Sequence, residues 1–391
     1  MNNDISIFHA IAGLNPNSGG TSRVVVDLAD ALARTGSVRS VIVSQAIFGE
    51  PTVISACERV QRVMAYSKSA NSIRLGLPFR SALNHVQFSP KLSLIHNHGL
   101  WLPVNYWAGR KARSEGIPMI IQPHGMLEPW AMNHKAWKKS LALWLFQKRD
   151  LALAKVLIAT SLIESENFRT LGLKSPIAII PNGVELLIPK TDIKNDHLPD
   201  SNTRTVLFLS RVHQKKGLLN LVRAWSQLKP LGWRLRIAGP NEGGHLAEVL
   251  SLAEQLGVLP FLEYVGAVEG AEKEALYRNA DVFILPTFSE NFGVVVAEAL
   301  AHGLPVITTH GAPWADLKTY DCGWWIDIGV DPLVNALREA LGLSDDERRA
   351  MGERGKEYVR RYNWEDIARQ TIEVYRWILG KGDKPQCVLT D

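Results

Sequence analysis

Residues 281–301 read DVFILPTFSENFGVVVAEALA, and the fold follows from the order of residue types in this stretch. The apolar run 281–285 contains β-branched residues and reads as a buried strand. It stops at Pro286, which cannot donate to a ladder. A polar loop follows, and the apolar stretch after Gly293 reads as a buried helix. A strand feeding a helix through a short loop is half of a parallel crossover unit.

The same alternation runs along the chain. Strands are expected at 5–11, 39–43, 93–96, 119–122, 156–159 and 177–180, then at 205–210, 233–238, 262–265, 281–285, 306–308 and 323–326. Helical patterns fall between them at 23–33, 138–153, 218–228, 246–256 and 294–301. Such alternation predicts an α/β architecture of two doubly wound parallel sheets with about six strands each. Residues 188–204 carry two prolines and almost no apolar periodicity, and they read as a linker. The expected organisation is a domain at 1–187, the linker 188–204, a domain at 205–363, and a last helix and tail at 364–391 that could cross back to the first domain. Two such sheets are expected to face a cleft at the carboxyl ends of their strands.

A chain of 391 residues suits two domains of roughly 180 residues. Hydrophobic residues at 46% and charged residues at 21% give the balance of a globular protein. A net charge of +5 suits a polyphosphate ligand or an anionic surface and falls short of a nucleic-acid footprint. Cys57, Cys322 and Cys387 are scattered without CxxC spacing, so neither a disulfide framework nor a zinc knuckle is expected. No basic residue precedes Arg23, so no signal peptide is expected. No apolar run approaches the roughly 18 residues of a membrane span. These features point to a cytoplasmic protein, with contact at the inner face of the membrane left open.

Four segments can carry chemistry. Glu290 lies just before the helix expected at 294–301, and Glu298 lies inside it. The first-turn amides at Asn291, Phe292, Gly293 and Val294 suit a phosphate, and flanking carboxylates suit neutral hydroxyls. The same residues also fit an ordinary helix start with a capping glutamate. Eight helical residues rise about 12 Å, against roughly 5–5.5 or 6.5–9.5 Å for the carboxylates of glycosidases. The spacing therefore favours two binding contacts over a hydrolytic pair. Arg211, Lys215 and Lys216 follow the strand at 205–210, where a guanidinium fork and two ammonium groups suit a diphosphate or form a solvated basic turn. The loop 15–22, with Gly19 and Gly20, lets backbone approach a phosphate, although no GxGxxG is present. His96, His98 and His124 sit at strand ends. No matching Cys or carboxylate cluster accompanies them, and no metal ligand set is assigned. Residues 137–149 are basic, aromatic and helical in pattern. They fit either an anionic membrane surface or a helix docked on the sheet, and docking with Trp137, Leu141, Trp144 and Leu145 buried is favoured.

Taken together, these residues resemble the family 4 retaining glycosyltransferases of the GT-B fold. The resemblance rests on Glu290 and Glu298 in the E-x7-E pattern, Pro181-Asn182-Gly183, Arg211 with Lys216-Gly217, Tyr264-Val265-Gly266, Gly303-Leu304-Pro305 and Asn363-Trp364-Glu365. The stretch from His124 to Trp130 resembles a subgroup associated with bacterial surface polysaccharides. The resemblance implies that Glu290 holds the donor sugar, Glu298 the ribose, and Arg211, Lys215 and Lys216 the diphosphate, aided by the Gly19-Gly20 loop. It implies that the backbone at Val265 meets the base and that His124 lies near the reacting carbon. Acceptor contacts are expected around His98, Trp101 and Trp130. The implied reaction moves a hexose, with UDP-glucose favoured, to a saccharide or lipid-linked acceptor without cofactor or metal. A hydrolysing sugar-nucleotide epimerase and a sugar-nucleotide-binding protein without turnover are the rival readings.

Overall fold

The computed structural model describes residues 5–16, 20–89, 91–133, 136–186 and 203–390. Gly19 and most of the expected linker lie outside them. Arg204, assigned above to that linker, instead opens a strand. The chain divides into two compact units, Met1–Gly183 with Trp364–Asp391, and Val184–Asn363.

The first unit holds an eight-stranded sheet. In chain order its strands are β1 (Ile5–Ala10), β2 (Val38–Ile47), β3 (Gln61–Ser67), β4 (Ser93–His98), β5 (Met119–Gln122), β6 (Val156–Ala159), β7 (Ile177–Ile179) and, after the second unit, β14 (Val388–Leu389). The spatial order is β14-β7-β6-β5-β4-β1-β2-β3, parallel except for β14. About six strands were expected, and the two missed ones are the two edges. Gln61–Ser67 mixes polar and apolar residues and is only partly buried, while Val388–Leu389 is too short to show alternation. The second unit holds β8 (Arg204–Leu209), β9 (Trp233–Ala238), β10 (Leu262–Gly266), β11 (Val282–Leu285), β12 (Val306–Thr309) and β13 (Gly323–Ile326) in the parallel order β10-β9-β8-β11-β12-β13. The near-continuous apolar runs of β6, β8 and β11 follow from burial of both sheet faces under helices.

The last helix, Trp364–Ile378, does pack on the first sheet. Its buried residues Ile367, Ala368, Thr371, Ile372, Val374 and Tyr375 recur at helical spacing, and the apolar ones share a core with Leu28, Leu32, Leu94, Ile120 and Ile158. Trp364 lies across Gly183, where an added Cβ would stand 2.3 Å from the indole.

The segment 138–153 departs from expectation. It is broken into a helix Ala136–Ala142, a π turn Leu143–Gln147 and a helix Lys148–Leu153. It also docks by the opposite face. Trp137, Leu141, Trp144 and Leu145 are 69%, 49%, 80% and 60% exposed, whereas Gln147, Asp150 and Leu151 are buried. The reason is polar: Gln147 Oε1 accepts from Trp101 N–H at 3.0 Å, and Asp150 pairs with Arg113. Those partners lie far off in sequence, so the docked face could not be chosen from hydrophobicity alone.

Gly183→Ala is expected to push the Trp364 ring off its seat at a cost of about 1–3 kcal/mol. Thermal unfolding should show this as a lower Tm, and an unchanged Tm would show that the helix start yields freely.

Candidate functional site

In the second unit the strand order reverses between β8 and β11, which are neighbours with crossovers leaving in opposite directions. Ligands bind at such a reversal, outside the carboxyl ends of the strands. The basic and acidic segments follow these two strands, and the fold brings them into contact. Lys216 Nζ donates to Glu290 Oε1 in a mostly buried pair. Phe288 N–H donates to the Lys215 carbonyl at 2.8 Å, and Thr287 Oγ1 donates to it at 3.1 Å. Gly217 allows this approach: its φ is +73°, and a Cβ there would stand 1.9 Å from the Pro286 carbonyl oxygen.

The acidic loop is fixed from several sides. Glu290 N–H donates to the Gly311 carbonyl at 2.6 Å, and Trp314 Nε1–H donates to the Phe292 carbonyl at 2.6 Å. Phe292 packs on the Trp314 ring with centroids 5.1 Å apart. The helix Val294–Ala301 then starts from Gly293, where an added Cβ would stand 3.7 Å from Glu290 Cγ. Glu298 is held separately, accepting from Lys273 Nζ at 2.6 Å and from the buried Tyr277 hydroxyl at 2.8 Å. Arg211 is about half exposed and pairs with Glu242 at 2.6 Å. Val265 lies next to the end of β10, where the Tyr264 hydroxyl donates to the Gly239 carbonyl at 2.9 Å. Lys273, Tyr277 and Glu242 were not legible as partners, because Lys273 and Tyr277 lie on the helix Gly270–Arg278 and Glu242 follows β9, outside the segments they hold.

In the first unit the strand order reverses between β1 and β4. His9 lies next to the end of β1 and is in register with His96 of β4, while His98 is in register with Gln122 of β5. Period-two alternation puts His96 and His98 on one face of the sheet. His9 and His98 meet through Nδ1 and Nε2 at 3.0 Å, and His98 and His124 meet through Nδ1 and Nε2 at 3.0 Å. His96 Nδ1 meets the Tyr375 hydroxyl at 2.8 Å. Ligand nitrogens of His9, His96 and His98 lie within 4.8 Å of one another. The sequence reading missed His9 because its neighbour is set by strand pairing.

His124 has φ +54°, an uncommon conformation for a side-chain-bearing residue. The turn is pinned at Gly125, whose N–H donates to Glu164 Oε1 at 2.9 Å, while Glu164 Oε2 accepts from Thr160 N–H at 2.7 Å. Glu164 was legible only as a helix-start residue in the pattern Ser161-x-x-Glu164. Trp101 is half-buried with φ +75°, and Trp130 is exposed on the short helix Pro129–Asn133. Gly20 opens the helix Gly20–Arg34.

Burial lowers the pKa of His9 to about 3 and of His124 to about 4, and holds His96 and His98 well below the ordinary value. Burial raises Glu164 to about 7.

A sheet that reverses direction in each unit, with a basic and carboxylate-bearing loop pair at one reversal, fits a site for a phosphate-bearing ligand. A model of Glycosyltransferase Family 4 matches residues 18–186, and one of Glycosyl transferases group 1 matches residues 189–358. The phosphatidyl-myo-inositol mannosyltransferase of Mycolicibacterium smegmatis is 30% identical over 265 residues, which cover 66% of this chain and 67% of that protein. The GDP-mannose:cellobiosyl-diphosphopolyprenol alpha-mannosyltransferase of Xanthomonas campestris is 25% identical over 391 residues, covering 96% and 98%. The chain spans only 51% of the length of the D-inositol 3-phosphate glycosyltransferase of Corynebacterium urealyticum, at 31% identity. Sucrose-phosphate synthase from Thermosynechococcus elongatus shares the fold at TM-score 0.79 and 22% identity, covering 96% of this chain and 99% of that one. Anabaena HepE in complex with UDP-glucose shares it at TM-score 0.75 and 17% identity, covering 95% and 100%. The chain belongs to the family 4 glycosyltransferases of the GT-B fold.

The histidine pKa values make the first unit acid-sensitive. Unfolded histidines protonate near pH 6.5, whereas these four stay neutral to much lower pH. Their contribution is fully present above pH 6.5 and is lost as pH falls toward 4. Glu164 works in the opposite sense, stabilising below its unfolded value of 4.5 and losing that contribution as pH rises through about 7. Four groups outweigh one, so stability should fall steeply between pH 6.5 and 4.5. Amide-exchange protection of β1 and β4 measures this, and constant protection across that range would contradict it.

Proposed function

We propose that this chain moves a hexose, UDP-glucose being the favoured donor, to a saccharide or lipid-linked acceptor in polysaccharide assembly, with retained anomeric configuration. The observation that carries this reading is the Lys216–Glu290 contact, which sets a cation and a carboxylate side by side just before a helix start at the β8/β11 reversal. A nucleoside diphosphate sugar presents the complementary set of charged phosphates and neutral hydroxyls. Glu290 then holds hydroxyls of the sugar and Glu298 those of the ribose. Arg211, Lys215, Lys216, the amides at Asn291–Val294 and the Gly19-Gly20 loop hold the diphosphate, and the backbone at Val265 meets the base. HepE, solved with UDP-glucose, supports the donor, and the Xanthomonas relative, named for a diphosphopolyprenol-linked saccharide, supports the acceptor class.

In the proposed step the bond from the anomeric carbon to the β-phosphate oxygen breaks as the acceptor oxygen bonds to the same face. The acceptor proton passes to the departing phosphate oxygen, and nucleoside diphosphate leaves. Lysine, arginine and amide dipoles stabilise that charge in place of a metal. His124 stands near the reacting carbon.

Glu290→Ala and Lys216→Ala are each expected to lower kcat by about 100-fold or more, as loss of one charge-stabilising group does, while the circular dichroism spectrum is kept. Turnover should persist in excess chelator. Wild-type kcat in either variant would remove these residues from the site.

The same reading includes contact with an anionic membrane. No helix among the described residues is long and apolar enough to cross one. Trp137, Leu141, Trp144 and Leu145 are nevertheless exposed together beside Lys138, Lys148 and Arg149, the composition of an interfacial helix. The protein is expected to co-sediment with phosphatidylglycerol-containing vesicles, less so at high salt, and Trp137→Ser with Trp144→Ser should abolish this. Undiminished binding by the double variant would return the segment to an ordinary surface helix.

A further inference from the structure

The histidine cluster contains more order than a site histidine requires. His98 is buried, and both of its ring nitrogens are engaged, one with His9 and one with His124. A neutral imidazole has one N–H and one lone pair, so a residue bonded at both nitrogens donates on one side and accepts on the other. The three rings are therefore coupled, and only two proton arrangements satisfy both contacts. In one, His124 Nε2–H donates to His98 Nδ1 and His98 Nε2–H donates to His9 Nδ1. His9 then carries its own proton nowhere but on Nε2–H. In the other, every bond is reversed, His9 Nδ1–H donates inward and His124 receives at Nε2.

The inner end of the chain selects between them. His9 Nε2 is buried and has no hydrogen-bond partner among the described residues. The first arrangement makes that atom an orphaned N–H donor, while the second leaves only a bare lone pair. An orphaned buried N–H is the rarer and costlier defect. The outer end differs, since His124 is the one member that is not fully buried.

We infer that His9 and His98 are positioning residues that hold His124 neutral, with its proton on Nδ1, as a hydrogen-bond donor to a ligand oxygen. The inference rests on His124 being a site residue, and it gives His124 the role of a neutral donor instead of a base. The rings lie edge to edge and nearly coplanar, as in-plane N–H···N bonds require, with the His98 centroid 5.3 Å from both His9 and His124 and interplanar angles of 21° and 27°. The pinned Gly125–Glu164 turn keeps His124 in the left-handed conformation that it shows. A metal ion on His9, His96 and His98 is the competing arrangement, and it would take one ring nitrogen of His98 out of its hydrogen bond with His9 or His124.

The test is long-range ¹H–¹⁵N correlation on the full chain with ¹⁵N-labelled histidine. The expected result is His98 and His124 both protonated at Nδ1 in the wild type. His98→Gln keeps a polar atom toward His9 and loses the one toward His124, so His124 should shift to the Nε2–H tautomer and kcat should fall about 10-fold. His98→Asn places its amide where Nδ1 stands and should restore the His124 signature; if the Gln variant does not fold, this variant and the wild type decide. An Nε2–H signature for His124 in the wild type, an unchanged His124 in His98→Gln, or one equivalent of zinc in the purified protein would each overturn the inference. A shifted tautomer with unchanged kcat would uphold the chain and remove His124 from the transfer reaction.

Discussion

Parallel strands can be joined only by crossovers, and a sheet whose crossovers run both ways must reverse at one pair of neighbouring strands. At that pair the two following loops part, leaving a place where polar side chains gather without a helix packed above them. Both units of this chain obey that constraint. In the second unit the loops after β8 and β11 bring Lys216 to Glu290, and in the first the ends of β1 and β4 bring His9 to His98. The chemistry-bearing residues lie at the reversals because strand order leaves them there.

A second constraint acts within each cluster: buried polar groups must find partners. Glu164 is buried and satisfied by three donors, two backbone N–H groups and a hydroxyl, and in satisfying itself it fixes the turn that carries His124. Glu290 and Glu298 sit on one short segment but have unrelated partners, a lysine from the loop after β8 for one and a lysine and tyrosine from the helix Gly270–Arg278 for the other. The two carboxylates are thus held in separate surroundings, Glu290 in the loop before the helix Val294–Ala301 and Glu298 inside it. The same need for partners explains the segment 136–153, where Gln147 and Asp150 turn inward and leave four large apolar side chains in solvent.

Much of this was legible from residue order. The strands Met119–Gln122, Val156–Ala159, Trp233–Ala238 and Gly323–Ile326 and the helix Leu218–Leu228 have the bounds their apolar runs announce. The carboxylate and lysine segments were visible as strand ends followed by helix starts. The edge strands Gln61–Ser67 and Val388–Leu389 were not, because an edge needs no continuous apolar run and its identity depends on the neighbour it pairs with. The docked face of 138–153 was read the wrong way round, since both faces carry apolar residues and the deciding contacts come from Trp101 and Arg113.

By itself the sequence determined the α/β alternation, the two sheets, and the acidic segment 281–301 with its helix start, because these depend on local periodicity and on Pro and Gly placement. Only the tertiary structure decided that Lys216 rests on Glu290, that Lys273 and Tyr277 hold Glu298, and that His9 completes a chain to His124. Such pairings join residues from different crossovers, and their geometry is fixed by strand order and register, which no local stretch of residues contains.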